Sequence, residues 1–202
     1  MEEDLSMGFN GVITISREYG SGGREIGRKL AQKLNVKFYD KAISEMTAVE
    51  TGIKPEIVEQ FQDRTPTNFD YGTYSSGKFV PINDELFSVQ TKIIKKIAEH
   101  PCVIIGRCSD FILKGTPNLI NVFVTSPLDH RLARITSLHN ISEKQALKIL
   151  KNCDKQRAKY HEHYAKTKWG EPHYYDIVIN SAMGIDKAVD AIYGLAMSLC
   201  SN

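Results

Sequence analysis

Residues 12–30 carry the most chemistry in the chain, and they read V-I-T-I-S-R-E-Y-G-S-G-G-R-E-I-G-R-K-L. A β-branched apolar run leads through a loop with Gly20, Gly22 and Gly23 into an amphipathic helical pattern. Glycines let successive backbone N–H groups converge on an anion at the positive end of a helix. The segment therefore predicts a phosphate-binding site that comprises Arg17, Tyr19, Gly20, Ser21, Gly22, Gly23, Arg24, Glu25 and Arg28.

The loop lacks two residues of the usual G-x-x-x-x-G-K-[ST] pattern, namely the phosphate-binding Lys and the Mg²⁺-binding hydroxyl. Alignment on the glycines places Gly23 and Glu25 at those positions. The missing positive charge could come from Arg17, Arg24 or Arg28, although Arg28 is equally consistent with an exposed helix charge. A structural turn that binds no ligand is the less favoured alternative.

A second candidate is the sequence V-I-I-G-R-C-S-D at residues 103–110, which contains another apolar run. Ligands of open α/β sheets lie beyond the carboxyl ends of the strands, so Arg107 is expected to face the same crevice as the glycine loop. A guanidinium suits a substrate phosphate, and an ion pair with a structural carboxylate is the alternative. Asp110 is either a ligand-binding residue or a partner of a helix dipole.

Two further groups of polar residues recur at helical spacing. Arg131 and Arg134 are three residues apart and share a helix face. A later stripe is either a ligand-binding face or a solvated surface with one ion pair, and it contains Asp154, Arg157, His161 and Tyr164. His161 and His163 are two residues apart, which directs them to different sides of a helix, so no metal site is predicted.

Five short apolar runs predict the strands that position these residues, at 12–15, 37–39, 102–105, 121–124 and 176–179. Each run is continuous rather than alternating, which is typical of parallel strands buried on both faces. Helical patterns at 86–99 and 185–199 lie between or after them. This alternation predicts an α/β fold with crossover helices.

Two segments do not fit this core. Residues 53–83 are rich in Thr, Ser, Gly, Tyr and Pro and predict a helix followed by a long flexible loop. Residues 138–169 predict one long polar helix, opened by a capping box at Ser142 and Gln145. Because this helix has few large apolar residues, we expect that no core holds it and that it moves over a bound substrate.

Composition excludes several classes of function. With 202 residues and a net charge of +2, the chain is expected to form one domain, 1–202, without nucleic-acid or membrane partners. The four cysteines form no C-x-x-C pair, which argues against a zinc site or a disulfide framework and fits a reducing cytosol. No leader or bilayer-length apolar segment is evident, so a cytoplasmic location is expected, and the oligomeric state stays open.

From about residue 12 to residue 192 the chain resembles the cytidylate kinases and the cytidylate kinase-like family of P-loop proteins. That family has a glycine loop, an Asp after the second strand, a G-R pair after the third, two arginines that open the lid and a D-x-x-R within it. The matching residues here are Gly20 to Gly23, Asp40, Gly106-Arg107, Arg131 and Arg134, and Asp154 with Arg157.

The resemblance implies a P-loop NTPase fold, with a five-stranded parallel sheet sandwiched by helices, an acceptor-binding insert and a helical lid. The core would comprise 10–43, 84–137 and 170–202, the insert about 44–83 and the lid about 138–169. Acceptor-binding residues would be Asp40, Arg107, Asp110, Asp154 and Arg157, and catalytic residues would be Arg24, Arg131, Arg134 and Arg157. ATP, with Mg²⁺, would donate its γ-phosphate to a nucleoside monophosphate, with CMP as the first candidate.

The chain departs from the family pattern at the glycine loop, at Cys108, where cytidylate kinases have Asp, and in D-K-A-I-S-E-M, which lacks their acceptor-binding Y-R pair. Two alternatives therefore stay open. One is a catalytically weak nucleotide- or phosphate-binding regulatory protein on a kinase fold. The other is a kinase for another small phosphorylated metabolite.

Overall fold

Seven strands and eight helices are present in the computed structural model, within the residues that it describes, 8–61, 72–75 and 78–200. The strands are β1 Val12–Arg17, β2 Lys37–Tyr39, β3 Gly72–Ser75, β4 Lys78–Pro81, β5 Cys102–Ile105, β6 Leu119–Thr125 and β7 Ile177–Asn180. The helices are α1 Gly23–Leu34, α2 Lys41–Thr51, α3 Pro55–Phe61, α4 Ile82–Ile97, α5 Ser109–Ile112, α6 Leu128–His139, α7 Glu143–Ala165 and α8 Ile185–Cys200. Short 3₁₀ turns occupy Pro172–Tyr174 and Ser181–Met183.

Five of these strands form one parallel sheet in the order β2-β5-β1-β6-β7. This confirms the predicted five-stranded sheet, and the predicted bounds of β2 and β5 are those observed. The strand β1 extends two residues beyond its predicted end, to Arg17. The strand order places the loop after β1 beside the loops after β5 and β6, which brings the predicted site residues to one edge of the sheet.

Helices cover both faces of this sheet, which explains why its strands are apolar without alternation. On one face Ile13 and Ile15 pack in the same cluster as Ile26 and Leu30 of α1 and Ile192 of α8. The opposite face is built from the alternate strand residues and from α2, α4 and α5, with Val12, Cys102, Ile104, Ile43, Ile94 and Ile112 in a second cluster. The sheet is thus a rigid base for the loops at its carboxyl edge.

The insert after β2 differs from its prediction. Residues 53–83 contain the helix α3, as expected, but β3 and β4 pair as an antiparallel hairpin where a flexible loop was predicted. The helix α4 begins at Ile82, four residues before its predicted start at residue 86, with Asp84 and Glu85 in its first turn. Carboxylates there stabilise the positive end of the helix. The rest of the predicted loop, 62–71 and 76–77, lies outside the described residues.

The predicted lid helix is shorter than expected at both ends. Residues 138 and 139 still belong to α6, and α7 starts at Glu143 after the N-cap Ser142, where the predicted capping box with Gln145 is present. The helix ends at Ala165 because Lys166 adopts the left-handed conformation. Within the described part of the chain, no helix combines the length and apolar character that a membrane span needs.

A small apolar cluster holds the start of α7, so the expectation that no core holds this segment is wrong. Leu150 is 1% exposed and packs with Ile135 of α6 and with Ala146. Tyr19 of the glycine loop packs against the same cluster. The few apolar residues of α7 therefore pack this helix against both α6 and the glycine loop.

Candidate active site

The glycine loop joins β1 to α1 and leaves the start of that helix open to a ligand. Gly20 and Gly22 both have φ of 80°, a left-handed conformation that favours glycine. Gly22 is the N-cap of α1 and supplies no side-chain hydrogen bond to the first turn. No side chain caps the N–H groups at the start of α1, and such groups are suited to bind an anion.

Ser21 stabilises the loop instead of extending toward the site. Its hydroxyl donates to the Glu18 carbonyl at 2.9 Å, and its own carbonyl accepts from Ser181 at 2.6 Å. The carboxylate of Glu18 in turn accepts from the Thr125 hydroxyl and the Ser126 amide at 2.6 and 2.9 Å. Glu18 thus ties the loop to the end of β6, a role that the sequence analysis missed.

A cavity of about 710 Å³ opens over this loop and is strongly basic. Its lining includes five arginines from three separate parts of the chain, Arg17, Arg24, Arg28, Arg134 and Arg157. Glu25 is the only acidic residue among the described residues that line it. The predicted phosphate-binding residues other than Ser21 are therefore brought together around one space with a net positive charge.

The side chain of Arg17 lies beside Gly23, the position that aligns with the missing loop lysine. A Cβ atom added to Gly23 would lie 2.7 Å from the Arg17 Cβ and 3.0 Å from its Cγ. A Cβ on Gly106 would collide with the Arg17 guanidinium. The side chain of Arg17 therefore runs across Gly23 toward Gly106, and its Cβ and Cγ leave no room for a side chain at position 23.

Arg24 and Arg28 lie at the edge of the cavity. The Arg24 Nε is 2.5 Å from the Asp40 Oδ2, and the Arg24 side chain is 61% exposed. Arg28, one turn further along α1, lines the cavity and is also exposed. Arg24, which was predicted to be catalytic, thus forms an ion pair with Asp40, which was predicted to bind the acceptor.

Arg131 and Asp154 form an ion pair beneath the loop. The Arg131 Nη1 is 2.5 Å from the Asp154 Oδ2, and the two side chains are only 11% and 20% exposed. The other Asp154 oxygen accepts from the Tyr19 amide at 2.7 Å, and Arg131 donates to the Tyr19 carbonyl at 3.3 Å. Both residues thus hold the backbone of the glycine loop, and neither lines the basic cavity.

Arg134, by contrast, faces the cavity and is paired there with Glu25. The Arg134 Nη2 is 2.6 Å from the Glu25 Oε2, and both side chains are about one-third exposed, at 39% and 34%. Lys29 lies 3.9 Å from the other carboxylate oxygen. One arginine of the cavity lining is therefore already paired with a carboxylate from the first turn of α1.

The G-R-C turn after β5 is unusual in its backbone. Gly106, Arg107 and Cys108 have φ of 65°, 60° and 53°, three left-handed residues in succession. Arg107 is 2% exposed and its Nη2 donates to the Asp40 carbonyl at 3.0 Å, which connects the ends of the neighbouring strands β5 and β2. It lines a small enclosed space beside the basic cavity, together with Arg17 and Arg157.

The polar stripe of α7 docks that helix onto the rest of the fold, so the solvated-surface interpretation is wrong. Asp154 binds the loop as described, and the Arg157 Nη1 donates to the Arg17 carbonyl at 3.0 Å. The Tyr164 hydroxyl donates to Asp84 of α4 at 2.9 Å, and its ring stacks on Phe87 at 3.8 Å. Each turn of this helix face thus reaches a different element.

His161 completes the stripe by contacting Asp110. Its Nε2 is 2.9 Å from the Asp110 Oδ2, and both side chains are almost fully buried. Asp110 is therefore held by a histidine, away from the basic cavity. The sequence analysis placed His161 in this stripe and predicted no metal site there, but it did not identify Asp110 as the partner of His161. Among the described residues, no group of three or more potential ligands could hold a metal ion.

Tyr19 and Arg157 both line the basic cavity and contact each other. The Arg157 guanidinium lies 5.4 Å from the centre of the Tyr19 ring, within cation–π distance. Burial raises the pKa of Tyr19 and nearby Cys153 adds to this, while Arg157 acts in the opposite direction. Tyr19 is therefore a neutral phenol at physiological pH, which limits the negative charge beside the loop.

A family model described as the cytidylate kinase-like family matches residues 12–183. The chain belongs to the cytidylate kinase-like family. No curated protein matches the chain significantly.

Solved structures confirm the kinase fold of this family member. An uncharacterized protein from Eubacterium ventriosum ATCC 27560 has a TM-score of 0.72 and 29% identity, covering 93% of this chain and 98% of that one. Shikimate kinase from Bacteroides thetaiotaomicron has a TM-score of 0.55 and 14% identity, covering 92% and 98%. A gluconokinase from Sinorhizobium meliloti 1021 has a TM-score of 0.57 and 14% identity, and the match covers 96% of this chain and 95% of the gluconokinase. At such identities the two kinases show a shared P-loop kinase fold and leave the substrate open.

Proposed function

We propose that this member of the cytidylate kinase-like family is a nucleotide-dependent phosphotransferase that moves the γ-phosphate of ATP to a small phosphorylated acceptor. The acceptor proposed first is a nucleoside monophosphate of the CMP type. The observation that carries this proposal is the cavity over the glycine loop, which five arginines line. Such a site suits a polyphosphate, because positive charge and helix N–H groups converge on it.

Donor phosphates would bind at the start of α1. The backbone N–H groups after Gly22 would hold them, and Arg17 would take the place of the loop lysine because it crosses Gly23. Arg134 and Arg157 reach the same cavity from α6 and α7. The three guanidiniums would thus surround a transferring phosphoryl group from different directions.

The reaction needs positioning more than covalent help from the protein. A phosphate oxygen of the acceptor attacks the γ-phosphorus, the bond from that phosphorus to the β–γ bridging oxygen breaks, and ADP leaves. Negative charge builds on the oxygens of the transferring group, and preorganised cations stabilise it there. Arginines meet this requirement wherever they can approach from several sides.

The donor set fits Mg²⁺ only as an ion carried by the nucleotide. Mg²⁺ commonly keeps several waters and takes one or two carboxylates together with substrate phosphates. Glu25 is the acidic residue available among the described residues that line the cavity, and it would first have to leave Arg134. When bound, Mg²⁺ would neutralise charge on the phosphates, while Glu25 would be its protein ligand.

The acceptor would lie toward Asp40, Arg107 and the insert, beside the second small space. The buried Arg107 and the absence of a Y-R pair leave the acceptor less defined than the donor. A kinase for another phosphorylated metabolite is therefore a second proposal. The fold shared with a shikimate kinase and a gluconokinase is consistent with a small-metabolite acceptor, although the names of those two kinases indicate no phosphate on it.

A nucleotide-binding protein without transfer activity is the alternative from a different class. It is favoured by the carboxylates that already neutralise Arg24 and Arg134. In that case, phosphate binding at the loop would survive while the charge needed for transfer would not be available.

Purified protein with ATP and Mg²⁺ should be assayed for ADP formation with CMP, dCMP, UMP, AMP and a set of phosphorylated sugars. Calorimetry with ATP on the same protein measures binding separately. Acceptor-dependent ADP formation supports the phosphotransferase and identifies its acceptor class. ATP binding without turnover on any acceptor would instead favour the binding protein, and no binding at all would refute both.

A further inference from the structure

His161 is buried between two hydrogen-bond acceptors. It is 4% exposed, its Nε2 lies 2.9 Å from the Asp110 Oδ2, and its Nδ1 lies 3.2 Å from the Thr167 carbonyl oxygen. A carbonyl and a carboxylate can only accept. Both ring nitrogens must therefore carry a proton if both bonds form, and this makes the ring an imidazolium.

The charged groups around this ring favour that state on balance. Burial lowers the pKa of His161, but the hydrogen bond and charge of Asp110, the Thr167 carbonyl and the charge of Glu162 raise it, and the net shift is upward. Tyr175 lies near Asp110, and its own pKa is raised mainly by burial. The other titratable groups that share the enclosed space with His161 are Arg17, Arg107, Cys108, Arg157 and Tyr160.

The position of His161 on α7 gives this ion pair a mechanical consequence. Asp110 belongs to α5, and Thr167 follows the C-terminal end of α7, so the ring connects the end of the lid to the edge of the sheet. Arg157 is four residues earlier on the same helix face, where it lines the basic cavity. A shift at His161 would therefore move Arg157.

We propose that His161, held as an imidazolium by Asp110 and Thr167, is a positioning residue that docks the end of the lid helix and sets Arg157 in the cavity. Loss of its proton removes one of the two hydrogen bonds and the charge attraction, so the lid end undocks as the pH rises. The role of Arg157 in transfer rests on the proposed function. The docking itself does not, and it is measurable without nucleotide.

Hydrogen exchange of residues 157–167 tests the docking in the full-length protein. His161→Gln removes the imidazolium, and His163→Gln is the matched control, because His163 is two residues away, exposed, and 3.9 Å from Asp84. We expect protection to fall at least about tenfold in His161→Gln and to stay at the wild-type level in His163→Gln. Equal protection in the two variants would overturn the proposal.

The pH dependence of this protection distinguishes docking by the His161–Asp110 ion pair from docking by apolar packing alone. Protection of residues 157–167 in the wild type should fall as the pH rises through the titration of His161, and this step should be absent in His161→Gln. Asp110→Asn should move the step to lower pH, because it removes the carboxylate that stabilises the imidazolium. A pH-independent protection, or an unchanged midpoint in Asp110→Asn, would contradict the proposal.

Nitrogen NMR of the His161 ring in the wild-type protein gives a test that needs no variant. Both ring nitrogens should carry protons below pH 6.5, and the ring should titrate above the ordinary histidine value of 6.5. A ring that titrates at or below 6.5 would overturn the proposal even if every variant failed to fold. Because none of these measurements uses ATP, they stand whether or not the protein transfers phosphate.

Discussion

Replacing Glu25 with glutamine should tighten the binding of a polyphosphate. The Glu25 carboxylate lies 2.6 Å from Arg134, and it faces the cavity where the donor phosphates would bind. A bound phosphate must compete with this carboxylate for Arg134, and the negative charge of the carboxylate also repels the phosphate. The Glu25→Gln variant keeps the size of the side chain while it removes both effects.

The structure sets the scale of this gain. Both members of the pair are about one-third exposed, so water screens them strongly. At a separation of about 5 Å and an effective dielectric constant of about 70, one phosphate charge would be repelled by about 1 kcal/mol. Freeing Arg134 from this partly exposed pair adds at most about 1 kcal/mol. The total of about 1–2 kcal/mol corresponds to about 5- to 30-fold tighter binding.

Calorimetry with inorganic triphosphate, in the absence of divalent cations, measures the effect without any contribution from a metal ligand. Glu171→Gln is the control, because Glu171 is 33% exposed and pairs with Lys168 at 3.4 Å outside the cavity lining. Glu171→Gln should bind like the wild type. If Glu25→Gln binds triphosphate no more tightly than Glu171→Gln, Glu25 does not compete with phosphate and the reasoning fails.

Three further predictions concern the cavity, the lid and pH. Arg17→Ala should lower the rate of phosphoryl transfer by about 10²- to 10³-fold while ATP still binds. Arg24→Ala changes a side chain that is 61% exposed and should lower the rate less than tenfold, and steady-state kinetics of the two variants measure this difference. Leu150→Ala should lower the free energy of unfolding by about 2–4 kcal/mol, and Leu138→Ala, at a 69% exposed position, by less than about 0.5 kcal/mol, as urea titration would measure. Because folding raises the pKa of His161, the stability contributed by its proton should be complete below pH 6.5 and lost as the pH rises through the folded value. In urea titrations, the difference in the free energy of unfolding between the wild type and His161→Gln should shrink over that pH range, and a constant difference would contradict this.

The strands and the glycine loop were predictable because their signals are local. A buried parallel strand needs a continuous apolar run, and β5 at residues 102–105 is such a run with both faces covered. The hairpin of β3 and β4 also had a local signal, since Thr73-Tyr74 and Phe79-Val80 flank a Ser-Gly pair. The richness of the segment in turn-forming residues obscured it.

The partners of Arg134 and His161 could not be predicted, because each partner lies far away in the sequence. Arg134 and Glu25 are 109 residues apart, and His161 and Asp110 are 51 apart. Spacing placed Arg134 and His161 on helix faces but did not show which residues those faces contact. The lid was misjudged for a related reason. Its polar side chains bind backbone and buried partners, and polarity alone does not distinguish such contacts from hydration.

Because Arg17 lies against Gly23 and Gly106, a substitution at one of these three positions affects which residues the other two can accept. A lysine introduced at position 23 to rebuild a standard loop would place its Cβ about where the Arg17 side chain already lies. Recovering the common loop therefore requires a second exchange at position 17, to a smaller side chain. An enzyme designer who alters one position alone would obtain a blocked loop rather than a restored one.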